Sequence, residues 1–150
     1  MTLEIGDRLP VFKLKDQEGN EFDSQKELAG QAAVIYFYPK NFTPGCTAEA
    51  CSFRDHFEDF TAAGVRVVGI SGDSEQSHAK FAKRFNLPFT LLADAKGQVR
   101  RMFGVKSALL GILPGRETYV FNADGILIKR FKALAADPHI RMALRELNKL

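Results

Sequence analysis

A chain of 150 residues, 45% of them hydrophobic, is long enough for a sizeable core and is read as one domain over residues 1–150. Its formal net charge of +3 permits acidic partners without requiring them. No run approaches the roughly 18 uninterrupted apolar residues of a membrane helix. The MTLEIGDRLP start has neither a signal-peptide core nor an Arg/Ser-rich transit pattern, so the expected location is cytoplasmic.

In chain order, Val11 to Leu14, the DQEGN turn and the residues up to Phe22 predict a short N-terminal β-hairpin. Ser24 is placed to cap a single helical turn through Ala29, stopped by Gly30. Ala32 to Tyr38 carries no charge and several β-branched or aromatic side chains, which predicts a strand buried on both faces. Pro39 has no N–H for a ladder bond and ends that strand. Thr43-Pro44 then starts a helix, with Thr43 at the N-cap and Pro44 at the first helical position. This helix is expected to reach about Ala63, with Ala50, Phe53, Phe57 and Phe60 on one stripe, and to end at Gly64.

Val65 to Ile70 reads as a second buried strand, and Asp73 or Ser74 caps a helix that reaches Phe85 and is stopped by Pro88. Phe89 to Leu92 is a third strand, followed by a short basic helix from Gln98 to Phe103. Ser107 to Gly115 is an apolar loop, whose Ala108 to Leu113 stretch reads either as a dimer contact or as a lid. Glu117 to Phe121 and Ile126 to Phe131 form a hairpin around Asn122-Ala123-Asp124-Gly125. Asp137-Pro138 opens a closing helix whose Ile140, Leu144 and Leu147 face inward. Alternating strands and helices with a late antiparallel hairpin predict a three-layer α/β domain.

The chemistry concentrates just past Pro39. Both cysteines of the chain, Cys46 and Cys51, lie there, and Cys46 falls at about the third helical position. Unpaired N–H groups and the helix dipole favour an anion at that place, which makes Cys46 the candidate thiolate nucleophile. The alternative is a cysteine packed as a small hydrophobe. Cys51 lies five residues on, a rise of about 7.5 Å and a rotation of about 140° along a helix. A disulfide needs Cα atoms within about 7 Å and converging Cβ vectors, so the two cannot bond within one intact helix. Either the helix start unwinds in a redox step, or Cys51 packs in the core and never reacts. Two cysteines in a cytosolic chain point to catalysis or redox sensing.

Pro39, Thr43 and Cys46, spaced P-x-x-x-T-x-x-C, resemble the active-site signature of the peroxiredoxins, and CTAEAC resembles that of the bacterioferritin-comigratory, or Q-type, subfamily. IGDRLPVFKLKDQEG, SGDSEQSHAKFAKRFNLPFTLLAD and ILPGRETYVFNADG extend the similarity along essentially the whole chain. The resemblance implies a thioredoxin-like α/β/α domain with a central mixed sheet and an N-terminal β-hairpin. It implies that Cys46 reduces hydrogen peroxide or an alkyl hydroperoxide and becomes a sulfenic acid. Cys51 then resolves this as an intramolecular disulfide, and thioredoxin or a similar dithiol recycles it. It places Arg116 beside Cys46 as a catalytic arginine, gives Thr43 the orienting of the peroxide and gives Pro39 the shielding of the sulfur. No metal or organic cofactor is implied, and the chain is expected to act as a monomer or weak homodimer. One departure is Asn41-Phe42, where relatives often carry Asp-Asn; an aromatic there is expected to alter the pocket rim.

Two other readings compete. One is a thioredoxin-like protein disulfide oxidoreductase, disfavoured because C-x-x-C spacing, not C-x-x-x-x-C, lets two sulfurs meet at a helix start. The other is a peroxide-sensing binding protein whose opened helix exposes Phe53 and Phe57. His56, His78 and His139 are scattered without the close ligand pairs of a zinc site. Arg141, Arg145 and Lys149 form a basic stripe that reads as the solvated face of the last helix, so no nucleic-acid partner is expected.

Overall fold

The charge-free run becomes an interior strand of the sheet. In the computed structural model, which describes residues 3–105, 115–133 and 135–147, β3 (Ala32–Phe37) is buried at every position. β4 (Val65–Ser71) pairs parallel with it on one side, and β5 (Thr90–Ala93) continues parallel beyond β4. On the other side β6 (Glu117–Phe121) and β7 (Leu127–Lys132) add an antiparallel hairpin. The N-terminal hairpin, β1 (Lys13–Asp16) and β2 (Glu21–Asp23), joins β5 antiparallel. The result is a seven-stranded mixed sheet in the order β2-β1-β5-β4-β3-β6-β7.

Strand periodicity sorts β3 into two cores. Val34, Tyr36 and, just past the strand, Tyr38 face α2 (Pro44–Asp55), α3 (Phe57–Ala62), α4 (Glu75–Phe85) and α6 (Asp137–Glu146). Ala33, Ile35 and Phe37 face α5 (Gln98–Phe103), Phe12, Phe22 and Leu28, the last at the end of α1 (Ser24–Glu27). These are the three expected layers. Tyr36 stacks on Phe53 at a centroid distance of 4.6 Å, and a Cβ at Gly69 would come within 2.9 Å of the Tyr36 ring. That close approach is why β4 carries a glycine in its interior.

Several boundaries differ from the expected ones for local reasons. Val11 is exposed, and the first strand begins at Lys13. Asp23, not Ser24, caps α1 by accepting from the Gln25 N–H. The Ser24 hydroxyl is instead buried, accepting from Phe12 N and donating to Pro10 O, which stitches the hairpin to the preceding segment. The helix expected to run from Pro44 to Ala63 is divided at His56, whose ψ of 13° ends α2 before α3 begins. The stripe survives the break, with Ala50, Phe53 and Phe60 buried and Phe57 packed against them. Ser74 caps α4, and Asn86 in the left-handed region ends it before Pro88 is reached. The third strand begins at Thr90, and the last at Leu127.

Ile140 is buried in α6, while Leu144 and Leu147 pack partly buried against the same core. Arg141 pairs with Asp137 at 3.3 Å on the exposed face. The loop expected from Ser107, with its Ala108 to Leu113 stretch, lies outside the described residues, as does Lys149. None of the described helices is long and apolar enough to cross a membrane.

Candidate active site

The corner after β3 is built by chain stiffness and then tied down. Pro39 ends the pairing, Thr43 takes an extended N-cap conformation and Pro44 opens α2, so Cys46 sits at its third residue and is buried. The Thr43 hydroxyl does not cap the helix, contrary to the usual role of an N-cap threonine; it donates to Lys40 O at 2.8 Å. Its lone pairs are thereby left free to accept. The register of the sheet explains how a residue 70 positions away arrives here. Phe37 pairs with Glu117, so the residue before Glu117 falls beside the end of β3. That residue is Arg116, and its Nη2 lies 3.4 Å from Cys46 Sγ. Gly45 leaves room for it, since a Cβ there would stand 3.1 Å from the same nitrogen.

Arg116 Nη1 donates to Glu49 Oε1, and both side chains are buried. Cys46, Glu49, Ala50 and Phe53 follow i, i+3, i+4, i+7 along α2. An acidic residue on a stripe otherwise destined for the core was the available sequence signal, and sequence reasoning missed it. Burial pushes the Glu49 carboxyl up from 4.5 to about 8, against the lowering pull of Arg116. The folded protein therefore holds a proton that the unfolded chain releases near its ordinary value. This contribution to stability is fully present at the lowest pH and is lost as pH rises through about 8. The urea midpoint of the wild type, compared with Glu49→Gln, is expected to fall between pH 5 and pH 8.5. The loss should be on the order of 4 kcal/mol. Parallel pH curves for the two proteins would show that Glu49 does not titrate in this range.

A second set of contacts fixes the frame. Asn41 is buried; its backbone N–H donates to Asp73 Oδ2, and its amide donates to Ser77 Oγ and His78 Nδ1. His78 Nδ1 accepts, so its Nε2 donates to Leu92 O at 2.9 Å, and burial lowers its pKa. Tyr38 OH donates to Asn41 Oδ1. Arg100, from the short basic helix, donates to Tyr38 O at 3.2 Å and Gly115 O at 3.0 Å. It thus bridges the backbone ahead of Pro39 and the backbone ahead of Arg116. Neither network had a local sequence signal: Asn41 follows Lys40, His78 follows Ser77 and Arg100 adjoins Arg101.

Among the described residues, a cavity of about 550 Å³ is lined by Pro39, Lys40, Thr43, Gly45, Cys46, Gly72, Asp73 and Arg116. Four of the five expected site residues thus meet around one space. Cys51 is a free, half-buried thiol in the same unbroken α2 and does not line it. Phe42 does not line it either: its ring turns toward α4 and packs on Phe81 and Phe85. The described residues hold no group of three or more His, Cys, Asp or Glu that could bind a metal.

A thioredoxin-like sheet with a cysteine in the first turn of a helix and an arginine against its sulfur defines a class of thiol proteins. The chain belongs to the AhpC/TSA family, which it matches over residues 5–130. It is 54% identical to a chloroplastic peroxiredoxin Q of Sedum lineare over 122 residues, 81% of this chain and 65% of that one. A chloroplastic peroxiredoxin Q of Populus jackii is 50% identical over a stretch that is 57% of its length. The chain thus spans less than two thirds of the length of these curated relatives. Among solved structures, peroxidoxin BcpB of Mycobacterium tuberculosis superposes with a TM-score of 0.90 at 37% identity, over 99% of this chain and 98% of that one. The bacterioferritin comigratory protein of Xanthomonas campestris, studied for alkyl peroxide reduction, superposes at 0.85 with 28% identity, over 95% and 98%.

Proposed function

We propose that this protein is a thiol peroxidase that reduces hydrogen peroxide and alkyl hydroperoxides, acting as a single domain without metal or organic cofactor. The observation that carries the reading is Arg116 Nη2 at 3.4 Å from the Cys46 sulfur, inside a cavity shared with Thr43 and Pro39. Guanidinium and helix start both favour negative charge on that sulfur. Thr43, its proton given to Lys40 O, accepts from the O–H of ROOH and turns the peroxide. Pro39 presents an apolar wall beside the sulfur.

The thiolate attacks one peroxide oxygen; the S–O bond forms as the O–O bond breaks, giving Cys46–SOH and RO⁻, which gains a proton as ROH. Arg116 donates to the developing oxyanion. Cys51–SH then condenses with the sulfenic acid, releasing water and forming the Cys46–Cys51 disulfide. With both thiols in one intact α2, that step requires the helix start to unwind. A dithiol reductant, thioredoxin in the first instance, restores both thiols by exchange, which suits a reducing compartment such as the cytoplasm. The same spacing argues against a protein disulfide oxidoreductase.

Intact mass before and after one equivalent of hydrogen peroxide tests the scheme. The reduced wild type is expected to lose two hydrogens, and Cys51→Ser to gain one oxygen. A wild type left unmodified would sink the peroxidase reading. An oxygen gained by the wild type, with steady-state turnover equal to that of Cys51→Ser, would show that Cys51 is not resolving.

A further inference from the structure

Phe42 stands at the boundary between a fixed and a moving part of the corner. On its N-terminal side, Asn41 is held to the loop after β4 through Asp73 and to α4 through Ser77 and His78. On its C-terminal side begins the helix start that must unwind for the disulfide to form. Phe42 itself has φ +65°, one of two described non-glycine residues in the left-handed region, where a bulky side chain is disfavoured. The residue is 51% exposed, yet its ring meets Phe81 edge-on at 5.1 Å and Phe85 at 6.3 Å. Arg84 lies over the Phe85 ring, and Arg54 of α2 donates to Phe85 O at 2.7 Å. The aromatic seat is therefore on the end of α4 that α2 also grips.

We infer that Phe42 is both hinge and catch of the Cys46 corner: its strained backbone favours opening, its ring on Phe81 and Phe85 opposes it, and their balance sets how fast Cys51 reaches Cys46. This rests on the reading of Cys51 as the resolving thiol. In the closed corner Cys46–SOH has two fates. It condenses with Cys51–SH, losing water, or it meets a second ROOH and is oxidised to sulfinic acid with release of ROH. A catch that delays opening slows the first and exposes the sulfur longer to the second.

Two substitutions separate the parts of the device. Phe42→Ala removes the ring but keeps a Cβ at positive φ, so the closed corner loses its catch and retains its strain. Phe42→Asn removes the ring too, but asparagine tolerates the left-handed region. Reduced protein would be pulsed with one equivalent of hydrogen peroxide, quenched with an alkylating agent at intervals, and weighed. Disulfide formation in Phe42→Ala is expected to be about three- to tenfold faster than in the wild type, the weight of an aromatic seat. In Phe42→Asn it should be slower than in Phe42→Ala by about two- to fivefold. Sulfenic acid formation, followed in Cys51→Ser backgrounds, should stay within about twofold, and Phe42→Ala should accumulate less sulfinic acid at raised peroxide.

Disulfide formation no faster in Phe42→Ala would overturn the catch. Equal rates in the alanine and asparagine variants would overturn the strain. A parallel loss of the sulfenic step would show a merely structural role. If the wild type consumes peroxide without forming any intramolecular disulfide, the reading of Cys51 fails first and the inference with it.

Discussion

Cys46→Ser is expected to bring peroxide turnover down to the buffer background while leaving the fold intact. Serine differs by one atom, and although the position is buried its hydroxyl keeps a donor in Arg116 Nη2, so secondary structure and thermal midpoint should change little. The chemistry, in contrast, has no substitute. A hydroxyl beside Arg116 stays protonated at neutral pH, and an oxygen nucleophile attacks a peroxide far less readily than a thiolate. Cys51 remains in the variant, but it is half-buried, outside the cavity and five residues along α2 from the arginine-held position. The measurement is peroxide consumption with thioredoxin and its reductase in excess, repeated with dithiothreitol to exclude a reductant-specific effect. Substantial residual turnover would mean that Cys51 is itself activated, and the division of roles between the two thiols would have to be reversed.

The corner was legible in the sequence because its causes are local. Proline at 39 and 44 and the change from unbroken apolar run to helical spacing are read within a dozen residues, and they put Cys46 at the third helical position, where it lies. Both the N-terminal and the late hairpin were legible for the same reason, with strand starts off by one or two residues, whereas the cap of α1 was misplaced because the Ser24 hydroxyl takes distant backbone partners. What reaches the corner from afar was not legible from spacing. Arg116 arrives through the pairing of β3 with β6, and only the family resemblance pointed to it. Glu49 was marked by its place on the buried stripe, but a lone acid in a helix is ordinarily solvated. Apart from the local Tyr38–Asn41 bond, Asn41, His78 and Arg100 act through contacts that span 14 to 62 residues, and no local pattern encodes them.

That long-range assembly makes Arg116→Ala the sharpest test of the site. The guanidinium joins the sulfur of Cys46 and the carboxyl of Glu49, two groups brought together one helical turn apart on α2. In the proposed reaction, removing it takes a charge-assisted donor from the Cys46 sulfur and from the oxygen that becomes RO⁻. Loss of one such donor costs about 10²–10³ in rate. The same change leaves the Glu49 oxygen buried without its donor, at about 1–3 kcal/mol. Without Arg116 nothing draws the carboxyl down, so Glu49 stays protonated over a wider range than in the wild type. Arg116→Lys restores the charge but not the fork, since one ammonium cannot hold sulfur and carboxyl in the same fixed plane. It is expected to recover most of the stability and only part of the rate. Stopped-flow oxidation of Cys46 and urea unfolding, measured on both variants, read the two losses separately. A rate in Arg116→Ala within a few-fold of the wild type would show that the helix start alone activates Cys46, and the 3.4 Å contact would then be packing without catalytic consequence.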